Sequence, residues 1–201
     1  HLNEAHHIFI SQLAISLYTI STTFILGVFT NNTIVGYFAA IERIVSALQG
    51  LLIPIYQTLY PYISRLKTMD IAKSNLFIVK ISKIIIPILL MVTLVMWINS
   101  FYILELLYDL NNFNLYLYLD ILTLKFLFVG VAHIYANLFL LTYGFKEIWN
   151  KMILKASLIG ITLLMLSISV FKLELIGAVG SIVITELIVL IMSIHYYIKL
   201  K

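Results

Sequence analysis

The chain has 201 residues and a formal net charge of +4, and it is 62% hydrophobic and only 11% charged. Soluble domains carry about 25% charged and about 45–50% apolar residues, so this composition excludes a soluble globular protein. It predicts an all-α integral membrane protein whose length is spent on spanning helices. The absence of cysteine excludes disulfides, thiolate metal sites and thiol nucleophiles.

Short polar joints divide the chain into six apolar segments, each of which is long enough to cross a bilayer. The predicted spans are residues 8–29, 34–64, 77–107, 115–143, 152–171 and 175–200. We therefore expect residues 1–201 to form a single bundle of six transmembrane helices. Because the chain opens at His1 and lacks a signal-like leader, we also expect it to be part of a longer protein.

Basic residues indicate the orientation of these spans. Ten of the 13 lysines and arginines flank the second joint, the fourth joint and the C-terminus, which share one side of a six-span bundle. The positive-inside rule then predicts that both termini are cytoplasmic. The aromatic residues Trp149, Tyr196 and Tyr197 are expected at that inner boundary. The basic balance thus reflects topology, and no nucleic-acid partner is expected.

The first span contains a polar row of Gln12, Ser16, Thr19 and Thr23, which fall within about 60° of one another on a helix. Hydrogen bonding between helices and the lining of a polar cavity explain this row about equally well. Gln12 and Thr19 are therefore candidate cavity residues.

A longer polar stripe runs along the second span, within about 100° of helix surface and interrupted only by Ile53. Its members are Glu42, Ser46, Gln49, Tyr56, Gln57, Tyr60 and Ser64. Such a stripe is unfavourable against lipid, so it predicts the wall of a cavity. Glu42, Gln49 and Gln57 are its candidate substrate contacts.

The second span also contains adjacent charges, Glu42 and Arg43. A structural ion pair between them is the simplest explanation, but neighbouring residues on a helix point about 100° apart. The forked, permanently charged guanidinium of Arg43 suits a phosphate or pyrophosphate. Glu42 is expected to orient it or to take up a proton as an ion-coupling group.

The fourth and sixth spans add further polar candidates. Lys125, His133 and Asn137 form a broad polar side that can join the same cavity, although snorkelling to the outer interface is favoured for Lys125. His133 is equally consistent with helix packing and with proton transfer. Glu186, in the middle of the last span, is either an ion-coupling switch or a structural acid. On that helix, Gly177, Ser181 and Thr185 form a small-residue row typical of close packing.

The sequence contains no motif for metal binding, cofactor binding or enzymatic catalysis. The histidines His1, His6 and His7 lack acidic or cysteine partners at metal-binding spacing. There is no phosphate-binding glycine loop, nucleophile elbow or paired zinc motif. We therefore expect no metal, no cofactor and no enzymatic activity.

The second span resembles a known family. Residues 35–66, VGYFAAIERIVSALQGLLIPIYQTLYPYISRL, are similar to the signature region of O-antigen (Wzx-type) polysaccharide flippases, which opens with V-G and A-A pairs and closes with Y-P-x-[IL]-S. Residues 9–37 fit the helix that precedes it. The family often carries its basic residue at the position of Glu42, whereas Arg43 follows one position later.

The resemblance implies half of a twelve-helix transporter of the multidrug/oligosaccharidyl-lipid/polysaccharide exporter (MATE-like) superfamily, with this chain as its C-terminal half. It implies residence in the bacterial inner membrane and transport of a polyprenyl-diphosphate-linked oligosaccharide, with Arg43 contacting the diphosphate. The expected partners are this substrate, the lipid bilayer, an N-terminal six-helix half and a polymerase of the same glycan pathway. Two alternatives are a cation-coupled multidrug exporter of that superfamily and a non-transporting scaffold of a glycan-synthesis complex.

Overall fold

The computed structural model describes residues 21–108 and 113–201, apart from the side chains of Phe113 and Asn114. Within these residues the regular structure is entirely helical. Helix α1 is the described stretch of residues 21–29, and the others are α2 Asn32–Met69, α3 Ile71–Tyr108, α4 Phe113–Tyr135, α5 Lys146–Met165 and α6 Glu174–Leu200. Two π-helical segments, Ala136–Leu141 and Leu166–Val170, continue α4 and α5.

Five described helical runs are long and apolar enough to cross a membrane. They are Asn32–Met69, Ile71–Tyr108, Leu115–Leu141, Lys146–Val170 and Glu174–Leu200. The prediction of an all-helical chain with several membrane spans is confirmed at this level. Most of the predicted first span, including Gln12, Ser16 and Thr19, lies outside the described residues.

Helix α4 is the centre of the bundle, where it packs against α6, α3 and α2. Its side chains Leu119, Leu122 and Phe126 are buried in the shared core. Helix α3, by contrast, exposes apolar side chains such as Ile88 and Ile98 along its outer surface. Exposed apolar side chains on a spanning helix are suited to contact lipid, so α3 lies at the edge of the described bundle.

Two glycines allow helices to approach closely. A Cβ on Gly130 of α4 would lie 2.6 Å from a methyl carbon of Leu89 in α3 and 3.3 Å from one of Leu52 in α2. A Cβ on Gly177 of α6 would lie 3.1 Å from the Cβ of Ser167, which follows α5. The Ser167 hydroxyl lies 3.0 Å from that of Ser181. Close packing by the small residues of α6 is thereby confirmed for Gly177 and Ser181.

Side-chain caps define where two of the long helices begin. The Asn31 Oδ1 accepts a hydrogen bond from the Ile34 N–H at 3.0 Å, before the first turn of α2. Asp70 separates α2 from α3, and its Oδ1 accepts from the Lys73 N–H at 3.0 Å. That backbone hydrogen bond lowers the pKa of the Asp70 carboxyl. A single polar residue is thus enough to reverse the chain between α2 and α3.

Helices α2, α4 and α6 begin at the same end of the bundle. Ile34, Leu115 and Leu175, from the first turns of the three helices, line one shared pocket. We call this the upper end. The three helices therefore run in parallel from it, and residues at similar distances from their starts lie at similar depth.

Candidate functional site

A cavity of about 480 Å³ lies inside the bundle, between α1, α2, α4, α5 and α6. The polar and charged side chains that line it include six of the residues predicted from the sequence. These six are Glu42, Gln49, Lys125, His133, Asn137 and Glu186. Residues that lie up to 144 positions apart in the chain thus share one interior space.

An ion pair joins α2 to α4 within this cavity. The Nζ of Lys125 lies 2.6 Å from Oε1 of Glu42, and the two side chains are only 11% and 18% exposed. The Ser46 hydroxyl donates to the same Oε1 at 3.1 Å. Snorkelling is therefore wrong for Lys125, because its ammonium is directed to a carboxylate in the interior. The pair that the sequence suggested between Glu42 and Arg43 is replaced by one between Glu42 and Lys125.

Glu186 adds a second carboxylate to the same space. Its charge interacts with the positive charge of Lys125 and the negative charge of Glu42. The Oε2 of Glu42 is buried without a hydrogen-bond partner among the described residues. In the part of the chain that the structure describes, the Lys125 ammonium thus pairs with Glu42 alone, and one negative charge is left to be balanced when both acids are ionised.

These three charges lie at similar distances from the upper end. Glu42 comes ten residues after Asn32, Lys125 twelve after Phe113 and Glu186 twelve after Glu174. At a rise of 1.5 Å per residue, each lies roughly 15–18 Å from the upper end. In helices that enter a hydrocarbon core about 30 Å thick at the upper end, this depth is close to the midplane, where charges are costly.

His133 and Asn137 line the cavity on the lower side of the charges. The His133 ring packs on Tyr56 with 5.1 Å between centroids, and the Tyr56 hydroxyl donates to the Gly130 carbonyl at 2.7 Å. The Trp149 indole N–H donates to Oδ1 of Asn137 at 3.1 Å. Asn137 belongs to the first π-helical segment, and such segments often occur at functional sites.

Trp149 is a cavity residue that the sequence did not reveal. It is only 7% exposed and lines the cavity from the first turn of α5. Its pairing with Asn137 depends on the turn at Gly144, where φ is +86° and the chain folds back from α4 to α5. Ser157 also lines the cavity, and neither residue belongs to a polar row in the sequence.

Arg43 and Gln57 lie elsewhere. Both are exposed, and neither lines the cavity. They share one face of α2 with exposed small residues and prolines, which we call the open face: Arg43, Ala47, Gly50, Pro54, Gln57 and Pro61. A Cβ added to Gly50 would meet nothing within 4 Å. Helix α2 therefore separates two polar surfaces, the cavity with Glu42 and Gln49 and the open face with Arg43 and Gln57.

The remaining candidates can be placed only in part. Gln12 and Thr19 lie outside the described residues, although Thr23 of the same predicted row lines the cavity together with Thr22. Across the part of the chain that the structure describes, no group of three or more histidine or acidic residues could hold a metal ion.

Helices, spans and cavity together define a multi-pass membrane protein with a charged cavity at mid-depth. Residues 1–67 match the family described as polysaccharide biosynthesis protein. A protein of Escherichia coli (strain K12), provisionally named as an O-antigen transporter, is 30% identical over 188 residues, which are 94% of this chain and 45% of that protein. A protein of Shigella dysenteriae with the same provisional name is 38% identical over 66 residues, which are 33% of this chain and 17% of that protein.

The family match and the E. coli relative support a Wzx-type polysaccharide flippase family for this chain, in agreement with the resemblance seen in its second span. It spans less than half the length of the curated relatives it matches. No solved structure gives a significant match.

Proposed function

We propose that this chain is one six-helix half of a lipid-linked oligosaccharide flippase in the bacterial inner membrane. With a second bundle of similar size it would form a twelve-helix, MATE-like transporter, with both termini of this chain in the cytoplasm. The substrate is a polyprenyl-diphosphate-linked glycan of the O-antigen type. Support comes from the family, from the 45% coverage of the E. coli relative and from the distribution of basic residues at the helix ends.

The observation that carries the proposal is the division of α2 into two polar surfaces. A cavity of about 480 Å³ inside one bundle has no room for a diphosphate, several sugars and a polyprenyl chain together. The open face has no such limit, and its small residues allow a second bundle to approach. Arg43 on this face provides a bidentate cation for the diphosphate, while Gln57 provides an amide for a sugar hydroxyl.

The interior cluster then has a different task, which is ion coupling. Glu42, Lys125 and Glu186 carry one net negative charge when all three are ionised, so a proton or a monovalent cation completes the balance. Gln49, His133 and Asn137 surround this space with hydrogen-bonding groups. Because the cluster connects α2, α4 and α6, a change in its charge alters the forces between the helices that bear the open face.

Complementation of a flippase-null strain tests the assignment of Arg43, with surface glycan and membrane protein level measured together. Arg43→Ala should reduce surface glycan at least tenfold at unchanged protein level, because the side chain is exposed in the described bundle. Arg43→Lys should retain part of the activity, since charge remains but the bidentate fork is lost. Wild-type glycan in the Arg43→Ala strain would refute the diphosphate contact.

One observation favours a cation-coupled drug exporter of the same superfamily as the second candidate. The interior cavity combines the carboxylates of Glu42 and Glu186 with the rings of Phe38 and Trp149, which suits an organic cation. Accumulation of a fluorescent cationic dye separates the two functions. Dye efflux that depends on Glu186 and is indifferent to Arg43→Ala would favour the exporter.

A further inference from the structure

A second pocket opens at the upper end and shares no lining residue with the interior cavity. Its volume is about 390 Å³. Tyr37 of α2 and Tyr118 of α4 contribute aromatic rings, and Lys172 and Glu174 contribute charges from the joint between α5 and α6. Apolar side chains at the starts of α2, α4 and α6 complete its wall. The pocket thus combines apolar surface, two rings and one charge of each sign.

The joint that carries these charges has an unusual backbone. Lys172 has a φ of 51° and Glu174 a φ of 44°, the left-handed region that residues other than glycine seldom occupy. The Leu173 N–H donates to the Ser167 carbonyl at 2.9 Å, which fixes the turn between them. Leu173 is also confined by Gly177, where an added Cβ would lie 2.9 Å from the Leu173 Cβ. The turn at Leu173 therefore places Lys172 and Glu174 beside the pocket.

Four side chains with polar or charged groups line the pocket. Within the described residues, the hydroxyls of Tyr37 and Tyr118 make no hydrogen bond, and neither Lys172 nor Glu174 has an ion-pair partner within 4 Å. The ammonium of Lys172 and the tyrosine hydroxyls can donate, while the Glu174 carboxylate accepts. A ligand with hydroxyl groups, which both donate and accept hydrogen bonds, can pair with these donors and with this acceptor. A phosphate would be attracted by Lys172 but repelled by Glu174.

We propose that this upper pocket is a saccharide-binding subsite. The faces of Tyr37 and Tyr118 pack against the C–H surfaces of a sugar ring, while Lys172 and Glu174 bond its hydroxyls. The source of the sugar rests on the proposed function, in which the upper end faces away from the cytoplasm and receives the glycan after translocation. The subsite binds the glycan portion alone and needs neither the diphosphate nor the polyprenyl chain.

Calorimetry with the protein in nanodiscs tests this subsite directly. The probe is the free oligosaccharide repeat released from the surface polysaccharide of the same strain, without lipid or phosphate. Wild-type protein should bind it saturably, and Tyr37→Ala and Tyr118→Ala should each weaken binding at least tenfold. Tyr102→Ala is the matched control, because Tyr102 is 67% exposed near the same end and does not line the pocket.

Conservative variants separate binding from folding. Tyr118→Phe keeps the ring and should retain binding within about threefold, whereas Lys172→Gln and Glu174→Gln should each weaken it severalfold at wild-type protein yield. Absence of wild-type binding at millimolar oligosaccharide overturns the subsite. An equal loss of oligosaccharide binding in the control variant Tyr102→Ala also overturns the subsite. A zwitterionic phospholipid headgroup could occupy the pocket instead. In that case Tyr118→Ala would leave oligosaccharide binding unchanged but alter lipid exchange, and this result would also overturn the saccharide subsite.

The same variants distinguish failure of this proposal from failure of the flippase proposal. Arg43→Ala should reduce surface glycan at least tenfold yet leave oligosaccharide binding unchanged, because Arg43 lies outside the pocket. Normal surface glycan in Arg43→Ala, combined with loss of binding in Tyr118→Ala, would refute the diphosphate contact and support the saccharide subsite.

Discussion

Glu42 and Arg43 are neighbours in the chain, but they belong to different surfaces of the molecule. Glu42 is directed into the bundle, where Lys125 and Ser46 satisfy one of its oxygens. Arg43 is directed to the open face and is exposed. One residue of helix turns a side chain by about 100°, so a single spanning helix can serve an interior ion site and an outward-facing substrate surface. The comparison indicates that each surface can be altered without the other.

The largest expected effect comes from removing the cation of the interior pair. Lys125→Ala leaves Glu42 mostly buried without its partner, a change that typically costs about 3–5 kcal/mol for a buried pair. We expect a clear fall in the thermal midpoint of the detergent-solubilised protein, followed by fluorescence-detected size exclusion. The double variant Glu42→Gln/Lys125→Met should recover part of that loss, because Glu42 no longer carries a charge without its partner, whereas Glu186 still does.

An exposed pair provides the control for that experiment. Lys151 and Glu147 lie one turn apart on α5 with 3.8 Å between Nζ and Oε2, and their side chains are 72% and 77% exposed. Lys151→Ala should change stability by at most about 0.5 kcal/mol. Equal shifts for Lys125→Ala and Lys151→Ala would mean that the interior pair does not stabilise the bundle.

A smaller effect on stability is expected from replacing two glycines. Gly130 of α4 lies where α4 packs against α2 and α3, and Gly50 lies on the open face of α2. Gly130→Ala forces a methyl group against Leu89 at the packed side, and such overpacking typically costs about 1–3 kcal/mol. Gly50→Ala on the open face meets nothing within 4 Å and should leave the thermal midpoint unchanged or slightly raised, since alanine favours helix. A destabilised Gly50→Ala variant would instead indicate that another helix covers the open face in close contact.

The smallest effect belongs to a single hydrogen bond. Tyr56→Phe removes the donor to the Gly130 carbonyl and should cost about 1 kcal/mol, with some loss of order at the His133 ring. Tyr60→Phe, at a side chain that is 39% exposed, should have no measurable effect. Thermal midpoints of the two variants in the same detergent provide the comparison, and a shift in Tyr60→Phe alone would reverse the assignment of inner and outer sides.

Sequence reasoning worked best where one helix supplies all the information. The apolar runs predicted the spanning helices, because each turn of an isolated helix must satisfy its own backbone in lipid. The angular row along α2 grouped Glu42, Ser46 and Gln49, which do line one cavity. It also included Gln57, which is exposed on the other side, because this position lies about 60° from Glu42 but only about 40° from Arg43 around the helix. Pairing between helices was not accessible in this way.

The sequence by itself predicted the all-helical membrane class, the presence of several spanning helices and the resemblance to the flippase family, since each depends on local hydrophobicity or on a contiguous motif. Only the tertiary structure decided that Lys125 pairs with Glu42, that Trp149 turns inward to Asn137 and that Arg43 lies outside the cavity. Side-chain partners across helices depend on the relative rotation and depth of whole helices. The close approach of helices at Gly130 and the turn at Gly144 set the relative rotation and depth of the helices. No single segment of the sequence encodes that arrangement.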